Sequence, residues 1–348
     1  MSNDSGAGRT ARIVRRVLPA LPERLRTQFL GLIGEGVGPW IDGLPDLVAR
    51  LCRDWDVELQ GTLEDGWSSY VTFGVRHGQP VVLKVVSQAA EGRAEIAGLL
   101  ARDGRGVPTL LCHDLIAPAL LLRRVRGRSP TQGELGAGEV AGLLRRLHLH
   151  IERPSAHVPQ LIDGLASHWE SRVSANRRLP SPLPDGLVAD AAASVERLCR
   201  SWPRPVLVHG DFEARNILRS DDGLLAIDSP AAVGDPGYDA AWWILSEHGG
   251  NPEAFRRHAM ELADALGYPT RRIWQWAWPL AVDELLDKLH EPGWSQPSVG
   301  DAFALARIVA RAAAPRWHSA LPERPPALRI QPAPGVVALG AERRNEPW

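Results

Sequence analysis

Cysteine is scarce in this sequence, long apolar runs are missing, and neither sign of charge prevails. Among the 348 residues are three cysteines, Cys52, Cys112 and Cys199, far apart and without a C-x-x-C pair. That spacing excludes a disulfide framework and a thiolate zinc site, so the three read as buried small hydrophobes in a reducing compartment. Nowhere do about 18 apolar residues follow one another, which excludes a transmembrane helix. Arg12, Arg15 and Arg16 break up the first apolar stretch, so no signal-peptide core forms and a cytoplasmic chain is expected. Lys+Arg number 40 against 41 Asp+Glu, a formal charge of −1. A nucleic-acid binder draws its affinity from a basic excess, and none shows here. Internal repeats, coiled-coil heptads and the G-x-x-x-x-G-K-[ST] phosphate loop are absent too, so a P-loop site is out.

What is present is a globular composition, 44% hydrophobic and 23% charged, long enough for one large domain or two ordinary ones. We expect residues 1–45 to form an N-terminal extension. Its helix is marked by Ile13, Val14, Val17, Leu18 and Leu21 and is interrupted by Pro19 and Pro22. Residues 46–126 read as a small β-rich lobe. Tyr70–Val75 and Val81–Val86 are strands joined by turn chemistry at His77–Pro80, and Ala89–Asp103 is a helix ended by Gly104. Leu110–Leu111 and Ala119–Leu122 suit further strands. Residues 127–318 read as helical, over 139–148, 161–177, 187–202, 236–247, 252–266, 271–290 and 299–313. Two strand-like pieces interrupt them, Val206–Val208 and Leu224–Ile227. Residues 319–348 are a proline-rich tail: from Pro315 onward seven prolines fall in the last 34 residues. The fold class expected is α+β, a small sheet-rich lobe followed by a larger helical one.

The chemistry concentrates in Val206-Leu207-Val208-His209-Gly210-Asp211, where an apolar strand delivers a carboxylate into a loop. Asn216 follows Asp211 with four residues between, and a second apolar strand ends on Asp228, twelve residues beyond Asn216. Phosphoryl transfer needs this set: one carboxylate to accept the attacking hydroxyl's proton, and an amide oxygen and a second carboxylate to hold Mg²⁺ against nucleotide phosphates. The spacing is that of the kinase loop H-R-D-x-x-x-x-N, although Gly210 replaces the arginine and Ser229-Pro230 stands where protein kinases carry Phe-Gly. Upstream, Lys84 interrupts an apolar strand and Glu95 lies on the next helix, the pair with which kinases hold the α/β-phosphates. An edge-strand lysine is the plain alternative for Lys84, and Glu91 rivals Glu95. Ser68 and Ser69, in the turn after Asp65-Gly66, could offer donors to phosphate or be an ordinary hairpin turn. His148 and His150 lack a third ligand at fixed spacing and do not make a metal site. His209 reads as a structural loop residue. Asp235 and Asp239 read as scaffold at the start of a helix, where carboxylates suit exposed N–H groups.

These residues resemble the aminoglycoside phosphotransferases, and within them the streptomycin 6-phosphotransferase and hydroxyurea phosphotransferase family. Trp40–Val48 with Trp55, Val82–Val85, Arg145–His148, His209–Asp211 with Asn216, and Ala226–Asp228 followed by Val233–Asp239 carry the likeness, over residues 38–290. The resemblance implies a bilobal protein-kinase-like fold with ATP and Mg²⁺ between the lobes. It implies Asp211 as general base, Asn216 and Asp228 as Mg²⁺ ligands and Lys84 as the phosphate-binding lysine. GTP is the other donor the motifs admit. Two departures stand beside the reacting groups: Phe212-Glu213-Ala214-Arg215, where relatives usually carry Leu-His, and Ser229-Pro230 after Asp228.

The resemblance implies an acceptor against the second lobe, where a cationic one would meet carboxylates; Glu247, Asp283, Glu284 and Asp287 are the candidates, with Arg215 on the loop itself. Asp283 and Asp287 share a helix face, with pairing to Lys288 or Arg272 as the plain alternative. Trp274, Trp276 and Trp278 precede them in alternation, by default core residues. The expected function is therefore phosphorylation of a hydroxyl on a small antibiotic, by a monomer or homodimer. The alternatives are a kinase of another natural product or sugar-like metabolite, and a kinase-like binding protein without catalysis. A protein-substrate kinase is disfavoured, since D-F-G and A-P-E are missing.

Overall fold

A computed structural model of the chain describes residues 23–62, 69–178, 183–248, 252–290 and 296–321. The expected helix near 13–21, Ser68 and the tail from 322 lie outside the described residues. The chain divides into two units, Met1–Arg126 and Gly127–Trp348.

The first unit opens with α1 (Glu23–Ile33), a 3₁₀ turn (Glu35–Val37) and α2 (Gly38–Asp54). The expected elements include no helix at α2, which carries Pro45 in its interior, where proline removes one backbone hydrogen bond. Its apolar residues nevertheless recur at helical spacing, and Leu44, Val48, Leu51 and Cys52 are all buried against the sheet. Burial of that stripe outweighs the missing bond, and the helix continues past residue 45. Five antiparallel strands follow: β1 (Glu58–Thr62), β2 (Ser69–Arg76), β3 (Gln79–Val86), β4 (Leu110–Asp114) and β5 (Ala119–Arg123), in the order β1-β2-β3-β5-β4. Between β3 and β4 lies α3 (Ala89–Arg102). In β3, Val81, Leu83 and Val85 join the core under α2, so the period of two turns Lys84 to the other face. Of the three free cysteines only Cys52 is fully buried; Cys112 and Cys199 are half-buried, less than their scarcity suggested.

The second unit contains β6 (Gly127–Arg128), α4 (Ala137–Leu147), α5 (Leu161–Arg178), α6 (Leu187–Ser201), β7 (Val206–Val208), β8 (Ile217–Ser220), β9 (Gly223–Ala226) and β10 (Ala232–Gly234). Helices α7 (Gly237–His248), α8 (Pro252–Leu266), α9 (Thr270–His290), α10 (Gln296–Ala313) and α11 (Pro315–His318) complete it. The long helices match the expected spans to within about three residues, because each carries an apolar face of several turns. Strands β6, β8 and β10 were not expected: at two to four residues they are too short to show alternation. They matter to the site. β10 pairs antiparallel with β7, and β9 with β8 in the order β6-β8-β9, so both chemistry-bearing segments leave from paired strands. At the centre of this unit α9 buries Ile273, Trp276, Ala277, Ala281, Val282 and Leu285. No described helix is long and apolar enough to cross a membrane.

Candidate active site

In the first unit, Lys84 sits on the middle strand of five, which removes the edge-lysine alternative. Its Nζ donates to both carboxylate oxygens of Glu95 on α3, at 2.8 and 2.7 Å, and both residues are only 7% exposed. Glu95 is thus the partner in contact. Glu91 lies one helical turn earlier; burial pushes its pKa up and Lys84 nearby pulls it back. Only one other lysine, Lys288, occurs among the 40 Lys+Arg of the chain. A compact ammonium retained in so arginine-rich a sequence suits a pocket that a guanidinium would overfill. Ser69 belongs to β2 rather than a turn: it is buried and paired with Val86 across the ladder.

Lys84→Met is expected to weaken ATP binding at least tenfold. Removing one partner of a buried, hydrogen-bonded charge pair costs about 2 kcal/mol or more, and part of that comes from Glu95 left buried without its cation. The double variant Lys84→Met, Glu95→Gln should recover thermal stability without recovering ATP affinity, as read by calorimetric titration beside a melting curve. Recovery of both would mean that Lys84 acts only in folding.

In the second unit, β7 runs into His209-Gly210-Asp211. The loop is held from beneath by Asp239, in the first turn of α7 and wholly buried. Its Oδ2 accepts the His209 N–H at 2.7 Å and the His148 Nε2–H at 2.8 Å, and its Oδ1 accepts the Gly210 N–H at 3.0 Å. Burial opposes ionisation of Asp239, yet the His148 hydrogen bond and charge, with His209 and the Gly210 amide, hold its pKa below the usual carboxylate value. His209 is structural: its Nε2–H donates to the Ile227 carbonyl at 3.0 Å, and its Nδ1 accepts the Asp211 N–H at 3.3 Å. Ser229 bonds the His209 carbonyl through its hydroxyl at 2.9 Å. Asp235 acts elsewhere. It accepts the Gly237 N–H at 2.9 Å, and at 2.5 Å both Arg272 Nε and Trp276 Nε1, so it ties the start of α7 to α9.

Gly210 explains itself. Its φ is +92°, and a Cβ there would stand 3.0 Å from Pro230 Cγ. Gly210→Ala is therefore expected to cost about 1–3 kcal/mol through the left-handed backbone and that contact. A melting temperature unchanged from the parent chain would contradict this.

Asp211 stands above these supports, half-buried. Its Oδ2 accepts the Asn216 amide at 2.8 Å and the Arg215 guanidinium at 3.2 Å, and its carbonyl accepts Asn216 Nδ2 at 2.9 Å. Arg215 also pairs with Glu213. The amide nitrogen of Asn216 is thereby engaged, and its oxygen is the end left for a cation. The Ile227 N–H donates to the Asn216 carbonyl at 2.9 Å, so Asp228 comes one residue beyond a bond to Asn216. Asp228 is exposed and lies in the left-handed region at φ 55°, a conformation that aspartate tolerates better than most side chains. One carboxylate and one amide oxygen, completed by water and phosphate, fit what Mg²⁺ takes from proteins. Among the described residues no cluster of three His, Cys, Asp or Glu forms a closed metal cage.

The acceptor candidates have protein partners. Glu247, in the last turn of α7, is buried and accepts the Gly133 N–H at 2.8 Å, while its carbonyl accepts Gln132 at 2.7 Å. Burial pushes its pKa up. Asp283 accepts His168 Nε2 at 2.8 Å and Arg172 Nε at 2.7 Å, and Asp287 pairs with the same arginine. Those partners lie on α5, over a hundred residues away in sequence. Lys288 stands 3.7 Å from Glu284, and Arg272 holds Asp235. The buried Tyr238 hydroxyl has its pKa driven upward, by burial first and then by Asp239, Asp211 and Asp283 around it. Sequence reasoning gave no role to His148, although its imidazole is part of the loop's support. The Arg-Arg-Leu-His stretch was the available signal.

The profile of the aminoglycoside/hydroxyurea antibiotic resistance kinases matches residues 54–284. The chain belongs to that family. As a member it is a phosphotransferase, an enzyme that moves a phosphoryl group onto a small molecule. It is similar to the streptomycin 6-kinase of Streptomyces griseus, 29% identical over 304 residues that cover 82% of this chain and 97% of that protein. The hydroxyurea phosphotransferase of Kitasatospora aureofaciens is 28% identical, with coverage of 64% and 66%. Among solved structures, an aminoglycoside phosphotransferase, APH(4)-Ia, in complex with ADP and hygromycin B has a TM-score of 0.52 at 17% identity, covering 76% of this chain and 98% of that one. Choline kinase LicA from Streptococcus pneumoniae has a TM-score of 0.54 at 13% identity, with coverage of 77% and 99%. At those identities the likeness speaks for the fold, which the antibiotic resistance kinases share with other small-molecule kinases.

Proposed function

We propose that this chain transfers the γ-phosphoryl group of ATP, with Mg²⁺, to a hydroxyl of a streptomycin-like aminoglycoside and so inactivates it. The observation that carries the reading is the state of Asp211: Oδ2 is held by Asn216 and Arg215, and Oδ1 meets no donor among the described residues. A carboxylate fixed on one side and open on the other is placed to accept a proton. As the acceptor oxygen bonds to the γ-phosphorus and the bond to the β-phosphate oxygen breaks, the hydroxyl proton passes to Asp211. Lys84, oriented by Glu95, binds the nucleotide phosphates. The Asn216 oxygen and Asp228 would hold Mg²⁺, which when bound neutralises phosphate charge. A cytoplasmic enzyme, monomer or homodimer, goes with this reading, and the streptomycin 6-kinases among its relatives support the acceptor.

One observation favours a second acceptor class. Asp283 and Asp287, the carboxylates expected to greet a polycation, are already engaged, by the Arg172 guanidinium and, for Asp283, a His168 hydrogen bond. A less cationic natural product or sugar-like metabolite fits that balance better. The test is a panel of streptomycin, hygromycin B, hydroxyurea and choline with ATP or GTP and Mg²⁺, scored by ADP or GDP release and by mass gain on the acceptor. Phosphorylated streptomycin upholds the first reading. Transfer to hydroxyurea alone upholds the second, and no turnover with bound ATP returns the chain to a silent binding protein.

A further inference from the structure

On the loop that carries Asp211, a 3₁₀ turn (Ala214–Asn216) places two side-chain donors in consecutive residues. The Asn216 N–H closes the turn on the Glu213 carbonyl at 3.0 Å, and the Ser129 hydroxyl donates to the Arg215 carbonyl at 3.3 Å. From that held backbone the Asn216 amide and the Arg215 guanidinium reach the same atom, Asp211 Oδ2, at 2.8 and 3.2 Å. Two donors on one oxygen settle which oxygen of the carboxylate is left over, and it is Oδ1.

An exposed ion pair four residues apart contributes little by itself, and the Arg215 side chain is 43% exposed. This pair differs in two respects. The nitrogen that meets Asp211, Nη2, also meets Glu213, whose side chain is half-buried. Arg215 is also the only Lys or Arg from His209 to Asn216, a stretch in which Asp211 and Glu213 stand two residues apart. One guanidinium thus lies between two carboxylates that would otherwise repel each other, and Glu213 keeps it from swinging into solvent. A rigid planar fork suits that task better than an ammonium on a flexible stem.

We propose that Arg215 is a positioning residue for phosphoryl transfer: clamped by Glu213, it holds Asp211 Oδ2 so that Oδ1 is turned to the acceptor hydroxyl. It works through Asp211 and not by contact with the acceptor, and the proposal rests on Asp211 as the group that takes the proton. The experiment is a double-mutant cycle of Arg215→Gln and Asp211→Asn. Its readouts are kcat and KM for transfer to the acceptor that the parent chain phosphorylates, and ATP hydrolysis without acceptor, where water takes the hydroxyl's place. Arg215→Gln should lower kcat about tenfold or more, the worth of a hydrogen bond to a charged group, and leave the melting temperature unchanged. The KM values for ATP and acceptor should stay within about threefold, since no ground-state contact is lost. Arg215→Lys, which keeps the charge and loses the fork, should fall between the parent and Arg215→Gln. In the Asp211→Asn background there is no carboxylate to orient, so adding Arg215→Gln should change kcat by less than about twofold. A residue that only braced the loop would lower both backgrounds alike. Equal losses in the two backgrounds, or a raised acceptor KM at unchanged kcat, would overturn the proposal. A parent chain without either activity would overturn the general-base reading, and this proposal with it.

Discussion

Asp211→Ala should lower the turnover of phosphoryl transfer by about 10²–10⁴-fold, the range for loss of a positioned general base, with ATP affinity within a few-fold of the parent. The geometry separates the two effects. The Asn216 amide donates to the backbone carbonyl of residue 211 as well as to its carboxylate, so the loop keeps one of its internal bonds when the side chain goes. Asp239 grips His209 and Gly210 through their main-chain N–H groups, which the substitution also spares. Arg215 keeps Glu213 as its partner. Asp211→Asn is the sharper variant: it preserves volume, removes the proton acceptor and turns a donor toward either Asn216 or the acceptor hydroxyl. Both variants are read by ADP release, mass gain on the acceptor and calorimetric ATP titration. If Asp211→Asn retained a tenth of the parent's turnover, the proton would have to leave by another route and the assignment would fail.

What the sequence made legible follows from the range over which each signal acts. Lys84 stood out because an unbroken apolar strand exposes any intruder, and Asp211, Asn216 and Asp228 because their order and spacing lie within eighteen residues. The long helices were legible for a related reason, several turns of one apolar face. The unread parts depend on residues far apart in the chain. His148 reaches Asp239 across 91 positions, and Asp283 meets His168 and Arg172 across 115 and 111. Reading along one helix offers only partners on that helix, so it offered Lys288 and Arg272 and missed α5 altogether. Strands β6, β8 and β10 exist because a partner strand completes their hydrogen bonds, a tertiary cause with no local pattern. The site's reacting atoms were thus readable and its supports were not, and the supports decide whether the reacting atoms are in place.

Asp239 is where that dependence can be measured. Asp239→Asn should destabilise the second unit by about 3–5 kcal/mol, the cost of breaking a buried ionic cluster by removing one charge. An asparagine can accept on one side only, and three donors converge on this position: the N–H groups of His209 and Gly210 and the His148 ring. Its amide would face at least one of them donor to donor. The pH dependence fixes the sign. The pKa of Asp239 is lowered in the folded chain, so its stabilisation is fully present above the unfolded value near 4. It is lost as the pH falls through the lower folded value. The gap in stability between parent and Asp239→Asn should therefore hold from neutral pH down to about 4 and narrow below it, as followed by urea unfolding at a series of pH values. Hydrogen exchange gives the local counterpart, since the amides of His209 and Gly210 should lose protection more than those in α9. Turnover should fall with them while Asp211 itself is untouched, because the loop that carries it has lost its anchor. A stability gap that stayed constant through acid pH, or unchanged exchange at His209 and Gly210, would show that Asp239 fills space rather than holds the loop.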